Sequence, residues 1–184
     1  MRAQERTSGL IRQVPAPGKG LIAGLIGGLG GSLAMAAFQG AWSLAVDPSQ
    51  EPAKHDVAGD AAPDSGSTPS TVLTANALSR AAIGRDVPAR HAEAAGRAFH
   101  LAFGTGLGGC YGVLVEYQAL ASAGAGIPFG ILQVPFADEW LVPALNLSGS
   151  PSRAPVSAHL RTFAAHAVFG LATEWTRRAV RARL

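Results

Sequence analysis

Charge and cysteine are the features this sequence has least of. Only 15% of its 184 residues are charged, against about 25% in typical soluble domains. Aromatic residues are also few, at 7%, so the 48% hydrophobic content comes mainly from aliphatic and small residues. The single cysteine, Cys110, excludes an intrachain disulfide and any multi-cysteine metal site. This composition suits close-packed membrane helices better than a large soluble core.

The longest uncharged run predicts a membrane-spanning helix. Residues 21–46 are 26 consecutive residues without a charge or a histidine, and about 20 apolar residues suffice to cross a bilayer. A secretory signal peptide is the alternative, because basic residues precede the run and residues 34–36 form an A-x-A pattern. Signal sequences contain only about 7–15 apolar residues in a row, so we predict a membrane anchor.

Three further apolar segments extend this prediction to four spans, over residues 98–120, 126–147 and 156–175. The last segment holds several ionisable residues, and taken alone it is typical of a buried amphipathic helix in a soluble protein. Beside three other apolar segments in a short chain, a fourth span is favoured. The predicted fold class is therefore all-α, an integral membrane four-helix bundle.

Composition divides the chain into four parts. Residues 51–70 are rich in Pro, Gly, Ser and Asp, which indicates a solvated loop. Residues 71–84 predict one short helix inside that region, and the helix of the second span could begin early, near Pro88. The predicted parts are a basic N-terminal arm over 1–19, transmembrane helix 1 over 20–46, an extracytoplasmic loop over 47–97, and transmembrane helices 2–4 with a basic tail over 98–184.

Basic residues flank the predicted spans at both ends of the chain, and they predict the orientation. They are Arg2, Arg6, Arg12, Lys19, Arg177, Arg178, Arg181 and Arg183. Lys and Arg concentrate on the cytoplasmic side of membrane proteins, so both termini are predicted to be cytoplasmic, in a bacterial inner membrane. Contact with anionic lipid explains such tails better than nucleic-acid binding, which we do not predict.

Small residues recur every fourth position in the first two spans and predict close helix contacts. The positions concerned include Gly24, Gly28, Gly104, Gly108 and Gly112. Small residues at this spacing let another backbone approach closely, which drives association in lipid. Packing within one chain is the main interpretation. Packing against a second copy or a subunit of a larger membrane complex is the alternative.

Residues 104–109 match G-x-G-x-x-G, a dinucleotide-binding pattern, but the match lies inside one apolar helix. The fingerprint requires a preceding strand and a βαβ unit, and neither is predicted here. No nucleophile–base pair or complete metal-ligand set is evident in the sequence. We therefore predict that the protein is not an enzyme.

Ionisable residues inside the predicted spans suggest an intramembrane polar cluster. Four spans place residues from three helices at one membrane depth: His100, Asp138, Glu139, His159 and Arg161. Such residues usually face the protein interior or water. The cluster could fix helix register, form a proton-relay or ligand site, or reach the outer interface.

His166 is a second candidate for a ligand or pigment contact. It lies seven residues after His159, hence on the same helical face. A histidine in a helix bundle could ligate a haem, a chlorophyll or a metal, although more often it forms a hydrogen bond to a neighbouring helix. No cofactor or metal is predicted. Glu174 and Arg178, spaced i,i+4, predict an ion pair.

Three stretches are similar to the YagU-like family of bacterial inner-membrane proteins. They are FHLAFGTGLGGCYG, GIPFGILQVPFADEWLVPALNLS and HLRTFAAHAVFGLATEWTRR. The resemblance extends over residues 97–182 and, weakly, the first span. The matching positions are His100, Asp138, Glu139, Pro143, Glu174 and Arg177. It implies an inner-membrane protein of unknown function, loosely linked to acid tolerance and without an established catalytic residue.

Two functional classes follow from these observations. In the first, a stand-alone membrane protein uses its polar cluster in proton or solute handling. In the second, an accessory subunit packs its glycine faces against a larger respiratory or photosynthetic complex. The bilayer is the partner expected in both, with a homo-oligomer or a larger complex as further expectations.

Overall fold

The computed structural model describes residues 14–46, 70–136 and 156–184. These residues form five α-helices and no strand, so the all-α prediction is confirmed for them. The helices are α1 (Pro17–Val46), α2 (Ser70–Ile83), α3 (Ala89–Tyr117), α4 (Ile127–Phe136) and α5 (Val156–Arg181), with a 3₁₀ segment, Ala119–Gly126, before α4.

Local sequence explains where several helices begin and end. Proline is the first residue of α1, where its missing N–H costs no hydrogen bond. Gly84 ends α2 with a φ of 72°, and its N–H donates to Arg80 O at 2.9 Å, as in the left-handed helix caps that favour glycine. Pro88 directly precedes α3. The predicted division at residue 98 therefore lies inside α3.

Helix α1 packs between α3 and α5. Its contact with α3 is backbone on backbone: a Cβ atom built at Gly108 would lie 2.5 Å from Gly24 O and 2.6 Å from Gly28 N. Gly20 lies correspondingly against Gly112, so residue numbers rise along α1 as they fall along α3. The two helices are therefore antiparallel and approach as closely as glycine allows.

An adjoining face of α1 packs against α5, also antiparallel, and glycines there meet larger residues. A Cβ atom at Gly27 would lie 2.7 Å from Thr173 O, and one at Gly31 would lie 2.7 Å from Phe169 O. Helix α4 packs on α5. The backbones of α3 and α5 are thus held apart by α1, and long side chains fill the space between them.

The chain reverses between α3 and α4 through left-handed backbone. Gly124, Ala125 and Gly126 have φ values of 65°, 55° and 82°. A Cβ atom at Gly126 would lie 2.8 Å from Glu174 Cβ, so glycine is required there both for its φ and for the approach of α5. This turn brings α4 alongside α5.

Apolar side chains fill the centre of the helices and also cover part of their outside. Met35, Ala165 and Phe169 form the buried core, with Phe38 and Phe129 packed against it. Several large side chains on the outer face of α1 are exposed, namely Leu21, Ile22, Ile26, Leu29 and Leu33. An exposed apolar face of this kind is compatible with a lipid environment.

Two helices, α1 and α3, are long and apolar enough to cross a membrane, by length and composition. The predicted third span runs to residue 147, but its residues after Phe136 lie outside the described residues. Helix α5 has 26 residues, long enough to cross a bilayer at about 1.5 Å per residue, but it is more polar. The four-span bundle stays a prediction.

Candidate functional site

A buried ion pair lies at the end of the helices where α5 finishes. The Glu174 side chain is 0% exposed and Arg177 is 6% exposed. Arg177 Nε donates to Glu174 Oε2 at 2.6 Å, and a second guanidinium nitrogen donates to Oε1 at 2.8 Å. This two-point geometry is the strongest form of a carboxylate–guanidinium pair.

Two further side chains complete the surroundings of Glu174. The Tyr111 hydroxyl of α3 donates to Oε2 at 3.0 Å, and Arg178 Nε donates to Oε1 at 2.5 Å. The predicted Glu174–Arg178 pair is therefore confirmed. Arg178 also donates to Ser122 O at 3.3 Å, so the network ties α5 to α3 and to the 3₁₀ segment.

A second ion pair ties α1 into the same end. Arg181 donates to Glu116 through two nitrogens, at 2.6 and 3.1 Å, and the Ala16 N–H donates to Glu116 Oε2 at 3.0 Å. Lys19 Nζ donates to Leu184 O at 2.5 Å. We call Tyr111, Glu116, Glu174, Arg177, Arg178 and Arg181 the charged end.

The charged end is a structural device rather than a proton-transfer site. The hydrogen bonds that Arg177 donates to Glu174 raise the pKa of the Arg177 guanidinium, and those that Arg181 donates to Glu116 raise the pKa of Arg181. Arginine does not lose its proton in proteins. Each oxygen of the buried Glu174 carboxylate already accepts two hydrogen bonds, so Glu174 has no bonding capacity left for a ligand.

A second polar group lies further along the bundle, beside the apolar core. It has one side chain from each of α1, α3, α4 and α5: Gln39, His100, Gln133 and His166. We call these four residues the polar layer. They are neutral or titratable side chains, in contrast to the fixed charges of the charged end.

The helix register brings the polar layer together. Gly28 lies against Gly104 and Gly108 of α3, while Gly31 lies against Phe169 and Thr173 of α5. Continued along the helices, this register places the members of the layer within about 8 Å along the bundle axis, at about 1.5 Å per residue. His100 and His166 are close enough to interact electrostatically.

The direction of the side chains further reduces the axial distance between the terminal atoms of the layer. Side chains on a helix lean toward its N-terminus. Because α1 is antiparallel to both neighbours, Gln39 leans toward the level of His100, and both histidines lean toward the level of Gln39. The hydrogen bond from His166 Nδ1 to Thr162 O, at 3.0 Å, has this direction, as does the bond from Gln133 Nε2 to Phe129 O, at 3.3 Å.

Two atoms of the polar layer are buried without a hydrogen-bond partner, Gln39 Oε1 and His100 Nε2. Two hydroxyl oxygens elsewhere share this property, those of Ser32 and Thr173. Ser32 Oγ lies directly against Gly104, and Thr173 Oγ1 lies directly against Gly31. The hydroxyls are therefore closed off by backbone, whereas the two atoms of the layer are at the ends of long side chains.

The predicted polar cluster as a whole stays a prediction, because the structure describes only three of its five members. Asp138 and Glu139 lie outside the described residues. His159 is exposed and Arg161 is half-buried. His159 lies seven residues before His166 on α5, about 10 Å further along the axis, so His100 is level with His166 rather than with His159.

Other candidate residues have clear positions. Gly24 and Gly28 of α1 lie against Gly104, Gly108 and Gly112 of α3. His166 is half-buried on α5. Among the residues that the structure describes, no group of three or more His, Cys, Asp and Glu side chains could hold a metal ion.

Sequence reasoning missed four residues that the structure brings into these two groups: Gln39, Tyr111, Glu116 and Gln133. Glu116 had a usable signal, since it is the one acidic residue in an otherwise apolar part of α3. The two glutamines had no such signal, because an uncharged amide is common in a helix. Its role becomes visible only when a neighbouring helix places another polar side chain at the same height along the bundle.

No family model matches the chain. Searches of curated proteins and of solved structures likewise find no similar protein. Membership of the YagU-like family therefore stays a prediction, and the function has to be argued from the residues themselves.

Proposed function

We propose that the protein is a non-enzymatic integral protein of the bacterial inner membrane that handles protons through its polar layer. One observation carries the proposal: four helices each contribute a polar side chain within about 8 Å along the bundle axis, and two of these side chains are histidines. Histidine is the side chain whose ordinary pKa lies nearest to physiological pH. An acid-tolerance role, which the family resemblance implies, fits a site of this kind.

Energetic cost supports a functional interpretation of the layer. Polar groups within a membrane are expensive, and they mark ion or proton pathways when they face a bundle interior. Glycine contacts already hold the helices together, and the charged end already fixes their register through Glu174 and Glu116. The polar layer is therefore not needed for register, which leaves a functional reason for its retention.

The accessory-subunit alternative has less support. It requires glycine faces that are available to another protein. Gly24 and Gly28 instead lie against glycines of α3, and Gly27 and Gly31 lie against α5. A stand-alone bundle is therefore the better proposal, and both termini are proposed to be cytoplasmic.

Proton movement is the direct test. The purified full-length chain would be reconstituted into liposomes containing a pH-sensitive dye, and an imposed pH gradient would be followed with a potassium–valinomycin clamp. We expect faster dissipation than in empty liposomes. The variant His166→Phe should lose most of this flux, while His91→Phe, which removes an exposed histidine of α3, should retain it. Wild-type flux equal to that of empty liposomes would reject the proposed function.

A separate experiment tests the membrane topology. In a variant with Cys110 replaced by serine, a cysteine at position 65 should react with an impermeant reagent added outside spheroplasts. A cysteine replacing the exposed Leu184 should react only after the membrane is opened. Labelling with the opposite pattern would contradict cytoplasmic termini.

A further inference from the structure

The polar layer contains two buried polar atoms that form no hydrogen bond with the protein. Gln39 Oε1 and His100 Nε2 are buried without a hydrogen bond, whereas the great majority of buried polar atoms in proteins have a protein or water partner. Both atoms end long side chains that lean toward one level of the bundle. A small ligand at that level would satisfy both.

The tautomer of His166 adds a third atom. A carbonyl oxygen only accepts, so the bond between His166 Nδ1 and Thr162 O requires the proton to be on Nδ1. In the neutral ring, Nε2 then carries a lone pair and is an acceptor. His166 Nε2 is therefore a second acceptor close to the level of Gln39 Oε1 and His100 Nε2 along the bundle axis.

We propose that the polar layer holds an internal water molecule. The water donates one hydrogen bond to Gln39 Oε1 and one to His166 Nε2, and its oxygen accepts a hydrogen bond from His100 Nε2–H. Three hydrogen bonds are the usual number for a buried water. The assignment deepens the proposed function and rests on it, since it names the ligand that joins the two histidines.

Charge favours water over a metal ion. The four side chains of the layer are uncharged when the histidines are neutral, so nothing in it compensates a divalent cation in a low-dielectric interior. The described residues also supply no third metal-binding side chain. Water needs no compensating charge, and it supplies two donors, to Gln39 Oε1 and His166 Nε2, and an acceptor for His100 Nε2–H.

The same geometry carries one proton with atoms in balance. A proton arriving at His100 Nδ1 makes the imidazolium. His100 Nε2 then passes its proton to the water oxygen, and the water passes one of its own protons to His166 Nε2. The step leaves His100 neutral with its proton on Nδ1, the water intact, and His166 as the imidazolium.

A double-mutant cycle tests for the shared water. His100→Phe and Gln39→Leu would be made singly and together in the full-length chain, and unfolding would be measured in detergent. Each single substitution breaks the same three-bond unit and should lower the folded-to-unfolded ratio about tenfold. The double variant should also show about a tenfold loss rather than a hundredfold one, because only the first change removes the water.

Thr173→Val is the matched control, since its hydroxyl is also buried and unpartnered but is closed off by Gly31. Combined with His100→Phe, it should act additively. Additive effects for Gln39 and His100, or a stabilising His100→Phe, would overturn the proposal.

Nitrogen NMR of the wild-type protein with labelled histidines provides a test without substitutions. His100 should be the Nε2–H tautomer and His166 the Nδ1–H tautomer, with magnetisation transfer from water to His100. A His100 Nδ1–H tautomer, or no transfer from water, overturns the water site. If the NMR spectra show the water but the liposomes show no proton flux, the proposed function is rejected and the water site stands. If the liposomes show proton flux but the double-mutant cycle is additive and no water contact is seen, the water site is rejected and the proposed function stands.

Discussion

The charged end and the polar layer are both polar groups within helices, but they differ in how far their bonding capacity is used. Glu174 is fully buried, yet both of its oxygens accept from guanidinium groups and one also accepts from Tyr111. The polar layer holds no fixed charge, and two of its buried atoms have no partner. A saturated group stabilises one structure, whereas an unsaturated group can still bind something.

Packing explains why both groups can exist in one small protein. His166 lies eight residues before Glu174 on α5, about 12 Å along the axis at about 1.5 Å per residue, so the fixed charges of the charged end are separated from the histidines of the polar layer. The close approach of α1 and α3 allows side chains from helices on both sides of α1 to meet. Both groups therefore depend on the glycine contacts.

The largest expected effect follows from this shared dependence. Gly108→Leu should lower the stability of the whole bundle by at least about 3 kcal/mol, since overpacking against backbone cannot relax by rotamer changes. A Cβ atom there already meets Gly24 O and Gly28 N. Thermal unfolding in detergent and the amount of protein in the membrane would measure the effect.

Gly106→Leu is the matched control on the same helix, because a Cβ atom at Gly106 has no neighbour within 4 Å. It should change stability by less than about 1 kcal/mol, partly through better helix propensity. Equal effects at the two positions would show that residue 108 does not lie in a close contact.

The second effect separates the charged end from the layer. Glu174→Gln should cost about 3–5 kcal/mol, because it leaves the buried Arg177 guanidinium without its charge partner. The double variant Glu174→Leu with Arg177→Leu should recover much of this loss. The exposed pair of Glu93 and Arg97 provides the control, and Glu93→Gln should cost less than about 0.5 kcal/mol.

The result that would contradict the buried pair is a double variant as unstable as the sum of its single variants. Unfolding in detergent at high and low ionic strength is the measurement. Salt should weaken the exposed pair and have little effect on the buried one, because buried pairs are screened less.

A smaller effect is expected from Tyr111→Phe. It removes the hydroxyl that donates to Glu174 Oε2 but keeps the ring, which stacks on Phe129 at 4.1 Å between centroids. A hydrogen bond to a charged group contributes about 1.5–3 kcal/mol to stability. We expect a loss at the lower limit of this range, because guanidinium groups still donate to both oxygens of Glu174. Tyr117→Phe changes an exposed tyrosine of the same helix and should be neutral when unfolding is compared.

The smallest effect concerns Thr173, whose unpartnered hydroxyl is closed off by backbone. It is compared with the unpartnered atoms of the polar layer, which are proposed to bind water. Thr173→Val keeps the shape of the side chain and removes a buried hydroxyl oxygen that has no partner. Stability should rise by up to about 1 kcal/mol, because an unsatisfied polar atom is lost. A loss of more than about 1 kcal/mol in thermal unfolding would mean that Thr173 Oγ1 has a partner after all.

Particular residues show how far sequence reasoning extended. The 26-residue uncharged run predicted α1, residues 71–84 predicted a short helix that matches α2, and the i,i+4 spacing predicted the pair of Glu174 and Arg178. All three depend on residues near one another in the chain. The proximity of His100 to His166 and Gln39 was not predicted, because it depends on how far α5 is shifted along α1, and no local pattern records that shift.

The sequence by itself determined the helical class, the two apolar helices and the small-residue rows along them, because periodicity and composition act within one helix. Only the tertiary structure decided which helices those rows bring together and at what register. It placed Tyr111 against Glu174, and His100 level with His166 and Gln39. The reason is that backbone contact at glycines, such as Gly24 against Gly108, is set by three-dimensional fit, and the positions of all distant polar side chains follow from it.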